Sequence, residues 1–292
     1  MRNKILVLLV TFIIHGASAD DSVKLMIRCD DMGMSHAVNQ AFEQLAQAEI
    51  PFSASVMVPC PWFTEAVEIL SRYPHVSAGI HLTLNSEWKN YRWGPILGKG
   101  SVPSLVDSLG YFHPSRAKFF ANNPELDEVE AELRAQIVTA LAAGLKVDYV
   151  DYHMGTAVQT PEMRKIVEKL AEEFELGISR YFNEWDMDKM YDDPIDSKQD
   201  SMMIYLDNMD ENRINLLVCH IGLDLPELNA MIDLNEFGLK DMSKHRHSEL
   251  QVLLSDRFKK KLEDLGLKLM TYHDLIELNG IESMRAPLES GY

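Results

Sequence analysis

Cysteine is scarce: Cys29, Cys60 and Cys219 are the only three in a chain of 292 residues. Three cannot all pair within one chain, so a disulfide scaffold does not hold this fold together. Basic residues are outnumbered as well, 28 Lys and Arg against 45 Asp and Glu, for a net charge of −17. Phosphate backbones are bound by clustered Lys and Arg, so this balance argues against nucleic acid as the main partner. It leaves neutral ligands such as sugars open. No internal repeat or low-complexity tract occurs. With 46% hydrophobic and 25% charged residues, the composition excludes wholesale disorder and fibrous architectures. Long hydrophobic runs are missing too: the N-terminal stretch Ile5 to Ile14, broken by Thr11, is too short to span a bilayer comfortably.

That stretch has the layout of a secretory signal. Arg2 and Lys4 precede it, and Ala17-Ser18-Ala19 supplies small residues for cleavage. The expectation is a signal peptide over 1–19 and a mature chain over 20–292, exported to the periplasm or medium. No stable membrane anchor is then expected after cleavage; an uncleaved anchor is the competing reading. Residues per domain (roughly 100–200) allow two domains, but α/β barrels of roughly 250 residues fold as one.

Along the mature chain, short apolar runs alternate with amphipathic segments. Strands are expected at Val23 to Cys29, Phe52 to Val58, Val76 to Leu84, Val147 to Tyr152, Gly177 to Arg180, Ile214 to His220 and Leu267 to Thr271. Ser35 is a candidate N-cap for a helix carrying Val38, Phe42 and Leu45, and Thr160-Pro161 opens another. Phe63 to Leu70 reads as a helix, and Leu126, Val129, Leu133, Ile137 and Leu141 share one helical face that Gly144 closes. Ser248 to Leu265 reads as a final helix. This alternation implies parallel pairing, in a barrel or a doubly wound sheet. Two stretches, Asn85 to Asn123 and Tyr181 to Asp210, are expected as long loops over the active face.

Polar groups stand at the strand ends: Asp30, Asp31, His81, His153, Arg180 and His220. C-terminal strand ends converge in parallel α/β folds, so these distant positions can meet. One Asp and two His make a three-ligand set for a divalent metal, and a second Asp can act as general base. Asp151, two residues before His153, reads either as a partner to the site or as a solvated strand-end group. Strict alternation would turn Asp30 and Asp31 to opposite faces, and would turn Cys29 and Cys219 away from the site. Trp88, Tyr91 and Trp93 crowd the segment after His81; they read as sugar-binding rings or as anchors for a long loop.

The segments CDDMGMS (29–35), GIHLTL (79–84), ELRAQ (132–136), DYHMGT (151–156) and RHSEL (246–250) resemble the YdjC-like carbohydrate deacetylases, which include the chitooligosaccharide deacetylases. The resemblance runs in matching order from about Lys24 to Leu275. It implies a single TIM-like (β/α) barrel, incomplete or distorted forms included. It also implies one divalent ion, magnesium or zinc, and removal of N-acetyl groups from an acetylated mono- or oligosaccharide. By position, Asp31, His81 and His153 match the metal ligands, Asp30 the neighbouring acidic residue expected as base, and His220 the His of a strand-end HPG-type motif, the preferred general acid in the mechanism the resemblance implies. Arg246 matches the Arg of an R-x-x-E-L segment and, with Arg180, is expected to bind substrate. Two departures are visible: Met154-Gly155-Thr156 stands where the family often has further histidines, and Ile221 follows His220 in place of proline. Competing readings keep the metal for another amide or a glycosidic bond, or make the chain a glycan-binding protein without catalysis. The glycoside reading needs two carboxylates flanking the bond, which oppositely facing Asp30 and Asp31 would not supply.

Overall fold

The structure, a computed structural model, describes residues 23–187 and 190–287; the expected signal segment lies outside them. Among the described residues, one parallel sheet organises the chain. Its strands are β1 (Lys24–Met32), β2 (Ser53–Val56), β3 (Ser77–Leu82) and β4 (Tyr149–Tyr152), followed by β5 (Gly177–Ile178), β6 (Glu184–Asp186), β7 (Ile214–Cys219) and β8 (Lys268–Met270). The order is β5-β4-β3-β2-β1-β7-β6. β8 pairs with Lys24–Met26 of β1, and β2 pairs with the later residues Arg28 to Met32.

The sheet is curled. Arg28 of β1 reaches Ser179, just past β5, at 2.7 Å, and Tyr272, two residues after β8, reaches Glu184 of β6 at 2.9 Å. Strands from both ends of the order therefore surround one interior. β5 and β6 do not pair with each other, so the fold is a TIM-like α/β barrel left open between them. Burial of every residue in β2, β3 and β4 follows from helices covering the outside while side chains fill the inside.

Among the described residues ten α-helices flank the sheet: α1 (His36–Gln47), α2 (Phe63–Arg72), α3 (Arg116–Ala121), α4 (Leu126–Ala142) and α5 (Pro161–Glu173) in the first part of the chain. α6 (Lys198–Asp207), α7 (Pro226–Asn229), α8 (Met242–Leu254), α9 (Asp256–Asp264) and α10 (Tyr272–Asn279) follow. Ser35 caps α1 by accepting from the Val38 N–H at 3.2 Å, and Thr160 caps α5 from Met163, as their side chains suggest. In α4, Val129, Leu133 and Ile137 are fully buried, whereas the end positions Leu126 and Leu141 are exposed. The same helix also buries Glu132 and Gln136. These accept from the Ile96, Leu97 and Thr83 N–H groups at 2.9–3.1 Å, which pins the long segment after β3 to the barrel. Full burial of a side chain such as Leu133 contributes roughly 1.5–3 kcal/mol.

Two expectations are corrected. The helix expected over Ser248 to Leu265 is two helices, because Ser255 is extended (ψ 144°) and its hydroxyl accepts from the Phe258 N–H to cap α9. The segments Asn85 to Asn123 and Tyr181 to Asp210, both expected as loops, contain α3 in the first case and β6 and α6 in the second. All three cysteines are buried and free. No helix among the described residues is long and apolar enough to cross a membrane.

Candidate active site

The end of β1 does not alternate. Cys29 aligns with Ala54 and Met32 with Val56, so β1 uses one more residue than β2 over this span. The extra residue is accommodated at Asp31, whose φ is +75°. Left-handed backbone is tolerated by Asp better than by bulkier residues, and bulges of this kind re-aim side chains beside functional sites. Asp30 and Asp31 consequently line the same cleft, against the expectation of opposite faces. The cleft has a volume of about 250 Å³, and His81, Glu87, Trp88, His153, His220 and Arg246 also face it.

Three donor atoms meet at its base. Asp31 Oδ1 lies 3.4 Å from His81 Nε2 and 3.3 Å from His153 Nδ1, and the two ring nitrogens are 3.3 Å apart. The other nitrogen of each ring is occupied by a carboxylate: His81 Nδ1 by Asp151 Oδ1 at 3.0 Å, and His153 Nε2 by Glu87 Oε2 at 3.0 Å. Carboxylates accept, so each ring places its proton on the outer nitrogen and turns a lone pair inward. Three lone-pair-bearing atoms then face one another, and Asp31 Oδ1 is buried without a hydrogen-bond donor. Such an arrangement is repulsive unless a metal ion, or a second proton on the rings, sits between them. Ligand bonds of roughly 2.0–2.1 Å at tetrahedral angles separate donors by about 3.3–3.4 Å, the size of this triangle.

Before an ion binds, the surrounding carboxylates favour a second proton on each ring, the proton that an ion would displace. Burial pulls both imidazoles down, but Asp151 and Asp30 outweigh it at His81 and hold it up at about 10. Glu87 and Asp31 do the same at His153, at about 9. The carboxylates of Asp30, Asp31, Glu87 and Asp151 face only two guanidinium groups, Arg28 and Arg246, among the described residues. Protons on the two imidazoles balance the remaining two negative charges, and a divalent cation in the triangle would take the place of those protons at no change in net charge. A second grouping, Asp30 with His81 and Asp151, also brings donors together. There the positive charge is already supplied: Arg28 Nε lies 2.7 Å from Asp30 and 3.1 Å from Asp151. Asp151 is thus a buried partner of the site and not a solvated strand-end group.

Asp30 accepts two bonds from Arg28, at 2.7 and 2.8 Å. Burial raises its carboxyl, but the guanidinium and His81 outweigh this and hold it well below the usual range. His220 faces the cleft, its backbone N–H donates to Glu249 Oε2 at 2.7 Å, and its ring meets Tyr191 edge-on at 5.2 Å. Its Nδ1 is buried without a partner, and burial pushes the ring down to about 4. His220 is therefore neutral near pH 7.

Other expected residues lie elsewhere or are engaged differently. Arg180 is not among the residues lining the cleft; it pairs with Asp186 at 2.8 Å, because β5 ends before it and its φ is +71°. Arg246 does face the cleft, but its Nη2 donates to Asp31 Oδ2 at 2.6 Å, while Nε and Nη1 are buried without an acceptor. Trp88 is buried, with Nε1 on Met34 Sδ, and Trp93 is buried with Nε1 on the Asn85 carbonyl. The Tyr91 hydroxyl holds the Met34 carbonyl at 2.8 Å. These three rings anchor the loop; only Trp88 touches the cleft. Cys29 and Cys219 lie side by side in the sheet, away from it.

Glu87, Tyr191, Asp233 and Phe237 were not singled out from the sequence, yet they line the cleft. They stand outside the strands, where no periodicity marks which face a residue takes.

A family profile described as YdjC-like protein matches residues 24–264. The chain belongs to this family. It is 30% identical over 260 residues to a carbohydrate deacetylase of Brevibacillus brevis, covering 87% of this chain and all of that one. Identity to a carbohydrate deacetylase of Enterococcus faecalis is 28% over 265 residues, or 86% and 98% of the two chains. The crystal structure of an Enterococcus faecalis protein, provisionally named a cellobiose-phosphate cleavage protein, superposes with a TM-score of 0.71 at 24% identity. That match covers 87% of this YdjC-like chain and 99% of the other, and it supports the shared fold.

Proposed function

We propose that this YdjC-like chain is a metal-dependent hydrolase that removes the N-acetyl group of an amino sugar. The observation that carries this reading is the triangle of Asp31 Oδ1, His81 Nε2 and His153 Nδ1, with an outer carboxylate on each imidazole. The deacetylase names of its relatives support the substrate class.

Those three residues would hold the ion, and two imidazole donors suit zinc better than magnesium, which prefers oxygen. A divalent cation supplies a Lewis acid that acidifies water and polarises an amide carbonyl. Asp30 remains ionised throughout the neutral range, and Arg28 fixes its orientation. It is the carboxylate that orients the attacking water and accepts its proton. A carboxylate held this low is a weak base, so it gives the proton up readily. His220, neutral on its own, takes up a proton during the reaction and donates it to the departing amine. The unpaired Nε–H and Nη1–H of Arg246 are left to donate to a substrate oxygen.

Against glycoside cleavage by the adjacent aspartates stands a different reason from the one alternation suggested. Asp30 and Asp31 do share the cleft, but both are held low by arginine. Neither supplies the protonated carboxylic acid that glycosidic cleavage requires.

The test is acetate release from acetylated amino sugars. Release should stop on chelation and return with added zinc or magnesium; release that persists in the metal-free protein overturns the reading. Export is part of the proposal, on the signal-like layout of residues 1–19. N-terminal sequencing should give Asp20, and a membrane-bound form that retains Met1 contradicts it.

A further inference from the structure

At about 250 Å³ the cleft is smaller than the roughly 300–1,000 Å³ of sites that enclose a whole ligand. A cleft of this size suits one sugar ring with its acetamido group, which would leave a second ring at the rim. Phe237 stands at this boundary. It lines the cleft, yet it is 72% exposed and packs against neither hydrophobic cluster of the barrel.

Its exposure is not that of a loose loop. Asp233 Oδ1 accepts from the Asn235 backbone N–H at 2.7 Å and from its side chain at 3.0 Å, and the Gly238 N–H closes the turn onto the Asn235 carbonyl at 3.1 Å. A Cβ at Gly238 would come within 2.3 Å of the Asp233 carboxylate, so the turn folds tightly on that group. Asn235 Nδ2 also donates to the Pro114 carbonyl at 2.7 Å. On the other side, Lys89 N–H donates to the Ile232 carbonyl and Leu234 N–H to the Glu87 carbonyl, each at 2.8 Å. The turn that presents Phe237 is therefore hydrogen-bonded to the segment whose Glu87 holds His153.

The other rings at the cleft are taken: Trp88 is buried, and Tyr191 faces His220. An exposed apolar ring on a hydrogen-bonded turn beside a polar cleft gains little from packing and is suited to a ligand that brings its own apolar face. Pyranose rings have such a face, made of their axial C–H groups. We propose that Phe237 is a stacking platform for the sugar next to the one whose acetamido group reaches the Asp31–His81–His153 triangle. This makes Phe237 the residue that favours oligosaccharides over single amino sugars, and it rests on the deacetylase reading above. Asp233, on the same rim, offers a carboxylate to the hydroxyls of that second ring.

The probes are N-acetylglucosamine and its β-1,4-linked disaccharide, N,N′-diacetylchitobiose. In calorimetry with the full chain, the wild type should bind the disaccharide more tightly. Phe237→Ala should cut that preference roughly tenfold, the scale of one aromatic contact, and Phe237→Trp should restore it. The ratio of kcat/KM for the disaccharide to that for the monosaccharide should fall by the same factor. An unchanged preference in Phe237→Ala overturns the platform even where acetate is released normally. A preference that depends on Phe237, with no acetate released from either probe, upholds the platform and removes the deacetylase reading. Failure of the wild type to bind either probe overturns both.

Discussion

Arg246 Nη2 donates to Asp31 Oδ2 at 2.6 Å, joining helix α8 to the end of β1 across 215 residues of chain. One turn further along the same helix, Glu249 receives the His220 N–H at the end of β7. Positions three apart share a helix face, so α8 sets two strand ends of the site at once. Arg246→Lys keeps the charge but loses the planar fork that fixes the Asp31 carboxylate. Metal affinity, measured by competition with a chelator, should fall roughly 10–100-fold, the usual effect of losing a group that orients a ligand. Wild-type affinity in this variant would show that Asp31 needs no such support.

The adjacent aspartates should separate by role. Asp30→Asn should keep the metal and lower turnover by roughly 10²–10⁴-fold, the contribution of a positioned general base. Asp31→Asn should weaken metal binding, with activity partly restored by added metal. Metal content and rate measured together decide the matter: an Asp30→Asn variant without metal beside an Asp31→Asn variant that keeps it would exchange the roles.

Glu249 gives a prediction about stability against pH. Its carboxyl is fully buried, and burial raises it to about 7 despite Lys198 from α6, the His220 N–H after β7 and Arg246 on its own helix. The folded state thus holds this proton more tightly than the unfolded chain, whose value is near 4.5. The stability it contributes is fully present below about 4.5 and is lost as pH rises through about 7. Denaturant unfolding across that window should therefore show a shallower decline in Glu249→Gln than in the wild type. Equal slopes would mean that Glu249 does not titrate in this range.

The strand-end chemistry was legible because parallel barrels bring strand ends together, and His81, Asp151 and His153 sit where their strands place them. Asp31 was legible as a residue but not in its direction. The bulge that swings it beside Asp30 depends on a left-handed backbone, which Asp tolerates without requiring. Glu87 and Phe237 were illegible for another reason. Both belong to irregular segments held by long-range hydrogen bonds, such as that from Leu234 to the Glu87 carbonyl. The crowded aromatics Trp88, Tyr91 and Trp93 suggested either a sugar platform or an anchor. Their ring N–H and O–H groups find internal partners, as an anchor requires, and of the three only Trp88 lines the cleft.

Metal stoichiometry tests the central claim most directly. After dialysis against zinc, the wild-type chain should carry one ion, as measured by elemental analysis against protein concentration. His81→Ala and His153→Ala each remove one of three donors and should carry much less, while a folded circular dichroism spectrum is retained. A wild type that takes up no ion, or a folded His81→Ala and His153→Ala double variant that takes up as much as the wild type, would contradict the site.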